Sequence, residues 1–164
     1  MGAGKTTVGR QLAIRLKWEF IDSDQEIERR TGVRIPLIFD IEGEEGFRRR
    51  ETQIIAELLG RDHAVIATGG GAVLKDENRA AMQVASGLTV YLRVSPPLLH
   101  ARTRHDKNRP LLQVADPMAK LQSLLTERDP LYREVAGLVV DGDRNSARQI
   151  VAIIEKELAT SCAG

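Results

Sequence analysis

Short apolar runs alternate along this chain with longer stretches in which apolar residues recur every three or four positions. The short runs predict β-strands and the longer stretches predict amphipathic helices. The strand candidates are EFI at 19–21, AVIA at 64–67, LTVYLRV at 88–94 and LVV at 138–140. Such alternation is typical of an α/β fold with three layers, in which a parallel sheet carries helices on both faces.

Helices are expected between these strands, and several of their ends carry the usual signals. Gly32 and Gly60 stand where helix C-caps are predicted, and Pro97 suits the first turn of a helix. At 164 residues, without an internal repeat, the chain 1–164 is expected to form a single domain. The predicted helices cover about residues 5–17, 24–31, 44–59, 76–86, 97–104, 117–135 and 146–159.

The first seven residues, MGAGKTT, are similar to the second half of a phosphate-binding loop. Val8, Leu12 and Leu16 are four residues apart, which predicts a helix that begins directly after the glycines. The amide groups at a helix N-terminus have no intrahelical partner and favour an anion. In a GxxxxGK[ST] loop the lysine contacts a terminal phosphate and the hydroxyl ligates Mg²⁺; Lys5 and Thr6 occupy these positions. The alternative is a glycine-rich helix start that binds no ligand.

A phosphate-binding loop normally joins a central strand to its helix, and here the sequence begins inside the loop. A parallel sheet without that strand would expose two rows of backbone hydrogen-bonding groups. We therefore expect the natural protein to be longer than this sequence and to carry the first strand before Met1. A start codon assigned too late, at Met1, would explain the difference. In-frame upstream DNA that encodes an apolar strand followed by glycine would support this expectation.

Composition excludes several classes of function. A hydrophobic content of 42% with 29% charged residues is ordinary for a globular protein. The sequence contains no run of 18 apolar residues, so a membrane is not expected as a partner. A net charge of +1 and 4% aromatic residues argue against a nucleic-acid partner. The histidines have no ligand spacing, so no zinc site is expected. The only cysteine, Cys162, cannot form an internal disulfide, and a cytoplasmic location is therefore expected.

Two acidic residues follow the first strand candidate. Asp22 and Asp24 flank one residue at the carboxyl end of that strand, the edge where open α/β sheets bind ligands. A magnesium ion near Asp22 and Thr6 would relieve the repulsion between the two acids and leave Asp24 able to accept a proton. The alternative is a helix N-cap, Ser23 or Asp24, with an acid in the first turn.

The stretch EGEEGFRRRETQII places Arg48 and Glu51 three residues apart on one helix face, where the two side chains can pair. An arginine that is held in a fixed direction suits a substrate carboxylate. The alternative is a solvated helix with weak surface ion pairs, which is the interpretation that suits Arg49 and Arg50.

Three consecutive glycines, Gly69, Gly70 and Gly71, follow the strand candidate AVIA. Each glycine costs about 0.5–1 kcal/mol relative to alanine in a regular element, so an ordinary turn would rarely need three. The favoured interpretation is a close approach of the backbone to a small ligand, and a simple turn is the alternative.

The segment ARTRHDKNRPLLQVADP, residues 101–117, is polar, rich in arginine and set between two helical stretches. We expect a lid over about residues 105–116, in which Arg109 closes over the phosphates and places positive charge on the transferring group. Ordinary surface loops have a similar composition, but Pro110 and the two leucines after it favour a segment that docks.

In this order, the segments GAGKTT, DSDQEIERRTG, EGEEGFRRRE, TGGGAV, RPLL and ERDPLYREVA resemble the shikimate kinase family in its bacterial form, over nearly the whole chain. The resemblance implies a P-loop fold like that of nucleoside monophosphate kinases, with five parallel strands of which the first is missing here. It implies ATP-dependent phosphorylation of the 3-hydroxyl of shikimate, in the pathway to chorismate and the aromatic amino acids. ATP and Mg²⁺ are the implied cofactors, and a monomer is expected.

The resemblance also implies roles for individual residues, with Lys5, Asp24 and Arg109 in catalysis and Glu51 orienting Arg48. The implied nucleotide-binding residues are Gly2, Ala3, Gly4, Lys5, Thr6, Thr7, Arg102, Arg109 and Arg144, and the implied metal ligands are Thr6 and Asp22. The implied shikimate-binding residues are Asp24, Arg48, Glu51, Gly69, Gly70, Gly71 and Arg128, with a substrate-binding region at about 23–60. Ser146 departs from the family, which often has proline there.

Two other functions stay open at the level of sequence. A kinase of another small hydroxy acid, such as gluconate, would share the loop and the lid. A nucleotide-binding module without catalytic activity is the candidate from a different class.

Overall fold

All four strand candidates form strands, and each strand pairs in parallel with one other. The computed structural model of the chain describes residues 2–104 and 114–161. The strands are β1 (Glu19–Asp22), β2 (Ala64–Ala67), β3 (Val90–Arg93) and β4 (Leu138–Asp141). Within the described ranges β1 pairs with β2 and β3 pairs with β4, as two two-stranded sheets.

The helices confirm the predicted positions to within a few residues, with one exception. The C-cap glycines Gly32 and Gly60 are confirmed, and prolines occupy the first turn of α5. The helices are α1 (Lys5–Leu16), α2 (Ser23–Thr31), α3 (Ile35–Leu59), α4 (Asp76–Val84), α5 (Pro96–Thr103), α6 (Pro117–Val135) and α7 (Ala147–Ser161), with a 3₁₀ turn at Ala72–Leu74. Among the described residues, no helix combines the length and the apolar character needed to cross a membrane.

The exception is α3, which begins at Ile35 rather than near residue 44. Gly43, with φ 68° and ψ −179°, interrupts the helix, so that two helical segments follow one another. The first segment exposes Leu37, Phe39 and Ile41. Its apolar residues therefore do not form the single stripe that identifies an amphipathic helix from sequence, and this explains why the prediction missed it.

The chain divides into two compact units. The central unit, Gly9–Gly87, contains β1, β2 and α2–α4 around a core of Ile21, Ile27, Ile38, Phe47, Ile54 and Leu58. The terminal unit contains the residues up to Val8 and those from Leu88 onward, and it includes β3, β4 and α5–α7. In each unit the parallel pairing brings the carboxyl ends of two strands to the same edge, where the loops that follow them lie side by side.

Candidate active site

The glycine-rich loop lies at the N-terminus of α1 in the terminal unit. The helix begins at Lys5 as predicted, and the Val8 amide donates a hydrogen bond to the Gly4 carbonyl at 2.9 Å at the start of the helix. Gly2 and Gly4 have φ of 66° and 90°, a region that residues with a Cβ rarely adopt. The structure therefore presents the first turn of α1, with the exposed Thr6 and Thr7 side chains, at a site suited to an anion.

Arg102 on α5 connects this loop to the turn that follows β4. Its Nη1 donates to the Gly2 carbonyl at 3.4 Å and its Nη2 to the Gly142 carbonyl at 3.5 Å. Arg144 lies in the same turn with its side chain 87% exposed, and its Nε is 3.8 Å from the Asp141 carboxylate. Within the described residues the structure thus brings Arg102 to the glycine loop, but it does not bring Arg144 there.

Ser146 caps α7. The Gln149 amide donates to Ser146 Oγ at 3.3 Å, and Gln149 Oε1 accepts from the Ser146 amide at 2.8 Å. This reciprocal pair is a capping box, which satisfies two amide groups at the start of a helix. The serine therefore provides a helix start by hydrogen bonding, where proline would provide one through its fixed backbone angle.

In the central unit, Asp22 ends β1 and caps α2. Its Oδ1 accepts hydrogen bonds from the amides of Asp24, at 3.0 Å, and Gln25, at 3.3 Å. The alternative interpretation of this stretch placed the cap at Ser23 or Asp24; the cap is Asp22, because α2 begins one residue earlier than predicted. The cap uses Oδ1, so the carboxylate keeps a second oxygen, Oδ2, of the hard type that Mg²⁺ prefers.

Arg48 and Glu51 form the predicted pair on α3. Arg48 Nη1 donates to Glu51 Oε2 at 2.6 Å, and the Glu51 side chain is fully buried. Burial lowers the pKa of Arg48, but the ion pairs with Glu51 and Glu44 outweigh burial and raise the pKa above its ordinary value. Arg48 therefore stays charged with its guanidinium in a fixed direction. Arg49 and Arg50 form the surface ion pairs expected of them.

The three-glycine loop approaches these side chains closely. A Cβ at Gly69 would lie 3.0 Å from Asp24 Oδ1 and 3.0 Å from Glu51 Oε1. A Cβ at Gly71 would lie 2.6 Å from Arg48 Nη1, 2.7 Å from its Cζ and closer still to Nη2. The backbone of this loop thus lies close to protein side chains and has an acid and an arginine beside it. A close approach to a small ligand, which the glycines predict, stays a prediction.

Three residues that the sequence did not indicate hold this loop in place. Ser23, fully buried, accepts a hydrogen bond through Oγ from the Gly69 amide at 3.4 Å. Asn78 and Arg79 at the start of α4 donate to the carbonyls of Ala72 and Val73, both at 2.8 Å. The only local signal was the polar Ser23 between two acids, because the other contacts depend on the folded chain.

Arg128 lies on α6 in the terminal unit, beside a pair of packed tyrosines. The ring centroids of Tyr91 and Tyr132 are 4.8 Å apart, and the Tyr91 hydroxyl donates a hydrogen bond to Asp129 Oδ1 at 2.9 Å. Burial raises the pKa of Tyr132, against the opposing effect of the charge and hydrogen bond of Arg128. The Arg128 Nε is buried and has no hydrogen-bond partner within the described residues, so it is a donor that an anion could use.

Arg109 and most of the predicted lid, residues 105–113, lie outside the described residues. Among the residues that are described, no group of three histidine, cysteine or acidic side chains gathers in the manner of a metal-binding cluster. Thr6 carries a hydroxyl and Asp22 a carboxylate. Each is an oxygen donor of the type that Mg²⁺ takes, since Mg²⁺ usually binds one or two carboxylates and completes its shell with water and substrate phosphates.

Comparisons with known proteins identify the family of the chain. The family model described as shikimate kinase matches residues 1–159. The chain is 60% identical over 157 residues to a shikimate kinase of Dechloromonas aromatica, covering 96% of this chain and 85% of that protein. It is 55% identical to a shikimate kinase of Nitrosospira multiformis over 161 residues, covering 98% of this chain and 82% of that protein.

The fold agrees with this match. The structure of shikimate kinase from Acinetobacter baumannii in complex with shikimate superposes with a TM-score of 0.91 at 51% identity, covering 98% of this chain and 89% of that one. The predicted α/β fold of the nucleoside-monophosphate-kinase type is confirmed by this likeness. The chain belongs to the shikimate kinase family.

Proposed function

We propose that this chain transfers the γ-phosphoryl group of ATP to the 3-hydroxyl of shikimate, which gives shikimate 3-phosphate and ADP in aromatic amino-acid biosynthesis. Membership of a kinase family that uses ATP supports the reaction class. The observation that carries the choice of acceptor is the Arg48 guanidinium, which the buried Glu51 holds at 2.6 Å beside the three-glycine loop, Gly69–Gly71, and Asp24. A carboxylate group and a hydroxyl group on one small ligand match that pair of side chains.

The acceptor is bound through both of its functional groups. Arg48 binds the carboxylate, because a guanidinium and a carboxylate form two parallel charge-assisted hydrogen bonds. The backbone of Gly69, Gly70 and Gly71 lines this position, and Asp24 accepts a hydrogen bond from a ring hydroxyl. Arg128 is proposed as a second arginine for the carboxylate on the strength of its motif, and its unpartnered buried Nε supports the proposal.

The nucleotide is bound by the glycine loop. The amides of Gly2–Thr7 and the Lys5 ammonium surround the phosphates, while Arg102 borders the adenine side, where its contacts with Gly2 and Gly142 support it. Arg144, also proposed for that side, has its motif as its support. Thr6 and Asp22 would hold Mg²⁺, which supplies charge neutralisation on the phosphates when it is bound.

In the transfer step the acceptor hydroxyl oxygen forms a bond to the γ-phosphorus as the bond from that phosphorus to the bridging β–γ oxygen breaks. The hydroxyl proton passes to the Asp24 carboxylate, and ADP leaves. Phosphoryl transfer has a loose, highly charged transition state, where an arginine can be worth about 10³–10⁵ in rate. General base catalysis supplies about 10²–10⁴. We therefore propose a larger part for Arg109, the motif-matched lid arginine, than for Asp24.

The enzyme is proposed to act as a cytoplasmic monomer. The single cysteine of the chain, which needs no oxidising compartment, supports the location. Sedimentation of the purified protein tests the monomer, and fractionation of the source cells tests the location.

The test of the proposed function is release of ADP on addition of shikimate, with gluconate and an acceptor-free reaction as controls. We expect ADP to appear in amounts that match the shikimate consumed, with little released in either control. Comparable turnover of gluconate would favour a kinase of a different hydroxy acid. No ADP in any reaction would favour a nucleotide-binding module, and an ADP rate that does not depend on the acceptor would contradict transfer to shikimate.

A further inference from the structure

A second carboxylate, that of Glu44, holds the Arg48 guanidinium on the edge that its anchor Glu51 does not use. Arg48 Nε lies 3.4 Å and Nη2 lies 3.2 Å from the same oxygen, Glu44 Oε1. Nε and Nη2 form one of the edges through which a guanidinium grips a carboxylate by two parallel hydrogen bonds. Glu44 therefore occupies a position that an incoming carboxylate could take.

The two carboxylates on Arg48 differ in strength and setting. Glu51 is fully buried and bonded at 2.6 Å, whereas the Glu44 side chain is 64% exposed and makes only longer contacts. An exposed ion pair is weakened by water and by salt, and its side chain is free to move away. Glu51 is thus suited to be a permanent anchor, and Glu44 is suited to be a replaceable partner.

Glu44 acts on a neighbouring charge even when it is not displaced. A substrate carboxylate on the same guanidinium would lie within a few ångströms of the Glu44 carboxylate, and like charges at that distance repel. The Phe47 ring, 5.3 Å from Cζ, and the backbone of Gly71 also lie beside the Arg48 guanidinium; neither carries a net charge, so neither cancels this effect.

We propose that Glu44 is an intramolecular competitor of the substrate carboxylate for Arg48, and that it sets the affinity of the site for an anionic acceptor. The inference rests on the proposed function. It differs from a positioning role, in which Glu44 would help the site, because competition predicts that the wild-type residue weakens binding of the substrate.

The test compares steady-state kinetics of the wild type with Glu44→Gln, which keeps the size of the side chain and removes its charge. We expect a KM for shikimate about two- to fivefold lower in the variant, the factor that corresponds to an exposed ion pair, and the gain should shrink in high salt. The KM for ATP and kcat should stay within about twofold. Glu45→Gln is the matched control, since Glu45 is 80% exposed and pairs with Arg49 rather than with Arg48.

A second acceptor distinguishes competition between charges from a general change in the pocket. The methyl ester of shikimate has no negative charge, so Glu44→Gln should leave its KM unchanged. A KM for shikimate that rises or stays the same in Glu44→Gln, or that falls equally for acid and ester, would overturn the inference while leaving the proposed function intact. No turnover of shikimate by the wild type would overturn both.

Discussion

At the scale of single residues, the candidate site consists of charged groups that the fold holds in fixed directions. The predicted pairing of Arg48 with Glu51 is confirmed, because an i, i+3 spacing on a helix can be identified from sequence. The complete burial of Glu51 could not be predicted in the same way, since it depends on elements distant in the chain. A surface ion pair and a buried, oriented one have the same sequence pattern and differ only in their packing.

The first prediction concerns Arg48→Lys. Lysine keeps a positive charge for the buried Glu51 but lacks the planar fork that binds a carboxylate through two bonds. We expect the KM for shikimate to rise by about tenfold or more, as for loss of a charge-assisted hydrogen bond, with the KM for ATP little changed. Arg49→Lys is the control, because Arg49 is exposed and should tolerate the change. Equal KM values in both variants would remove Arg48 from the site.

A second prediction concerns Gly71→Ala. Gly71 has φ −89° and ψ −3°, which alanine adopts without strain, so any effect comes from the added Cβ against the Arg48 guanidinium. We expect displacement of Arg48 and a several-fold higher KM for shikimate. Gly87→Ala is the matched control, since no atom lies within 4 Å of the position its Cβ would take. If Gly71→Ala and Gly87→Ala have the same kinetics, the loop does not position Arg48.

At the scale of elements, both loops of the acceptor site follow strands that pair in parallel. Asp22 of β1 is in register with Ala67 of β2, so the α2 N-terminus and the three-glycine loop begin at the same edge of the sheet. The sequence predicts this much, because four apolar runs locate the strands and residue spacing locates most helices. It does not predict the start of α3, whose first segment has no single apolar face, nor the contact of Ser23 with Gly69, 46 residues away.

A third prediction separates two roles of Asp22, as cap of α2 and as proposed metal ligand. Asparagine caps a helix about as well as aspartate, whereas alanine costs about 0.5–2 kcal/mol. We therefore expect Asp22→Asn to keep the Tm of the wild type but to need more Mg²⁺ for half-maximal ADP release. Asp22→Ala should lower the Tm by about 2–4 °C for each kcal/mol lost. An unchanged Mg²⁺ dependence in Asp22→Asn would limit Asp22 to the capping role.

A fourth prediction concerns α2 and pH. Hydrogen bonds from Arg29 and then from Arg30 lower the pKa of Glu26 from 4.5 to about 2. A lowered folded-state pKa means that the stabilisation by Glu26 is complete above the unfolded value and is lost as the pH falls from 4.5 towards 2. The difference in Tm between the wild type and Glu26→Gln should therefore be constant above about pH 5 and should shrink below about pH 4.5. A difference that grows on acidification would contradict this assignment.

At the scale of the whole molecule, the residues proposed for the nucleotide and those proposed for the acceptor belong mostly to different units, with Asp22 and Arg128 as the exceptions. The glycine loop and Arg102 belong to the terminal unit, and Asp24, Arg48 and the three glycines belong to the central unit. Motifs made of adjacent residues, such as GAGKTT and TGGGAV, were identifiable from the sequence. The residues that hold the three-glycine loop in place were not, because Ser23, Asn78 and Arg79 act through contacts that only the folded chain creates.

The central claim is that the enzyme transfers a phosphoryl group from ATP to the hydroxyl of a small acceptor whose carboxylate is bound by arginine. The most direct measurement compares kcat/KM of the wild type for shikimate with kcat/KM for its methyl ester, with ADP release at saturating ATP as the readout. The account predicts a value for the ester about 10- to 150-fold lower, as expected for loss of a charge-assisted hydrogen bond of about 1.5–3 kcal/mol. An ester that is phosphorylated as efficiently as the acid would contradict it.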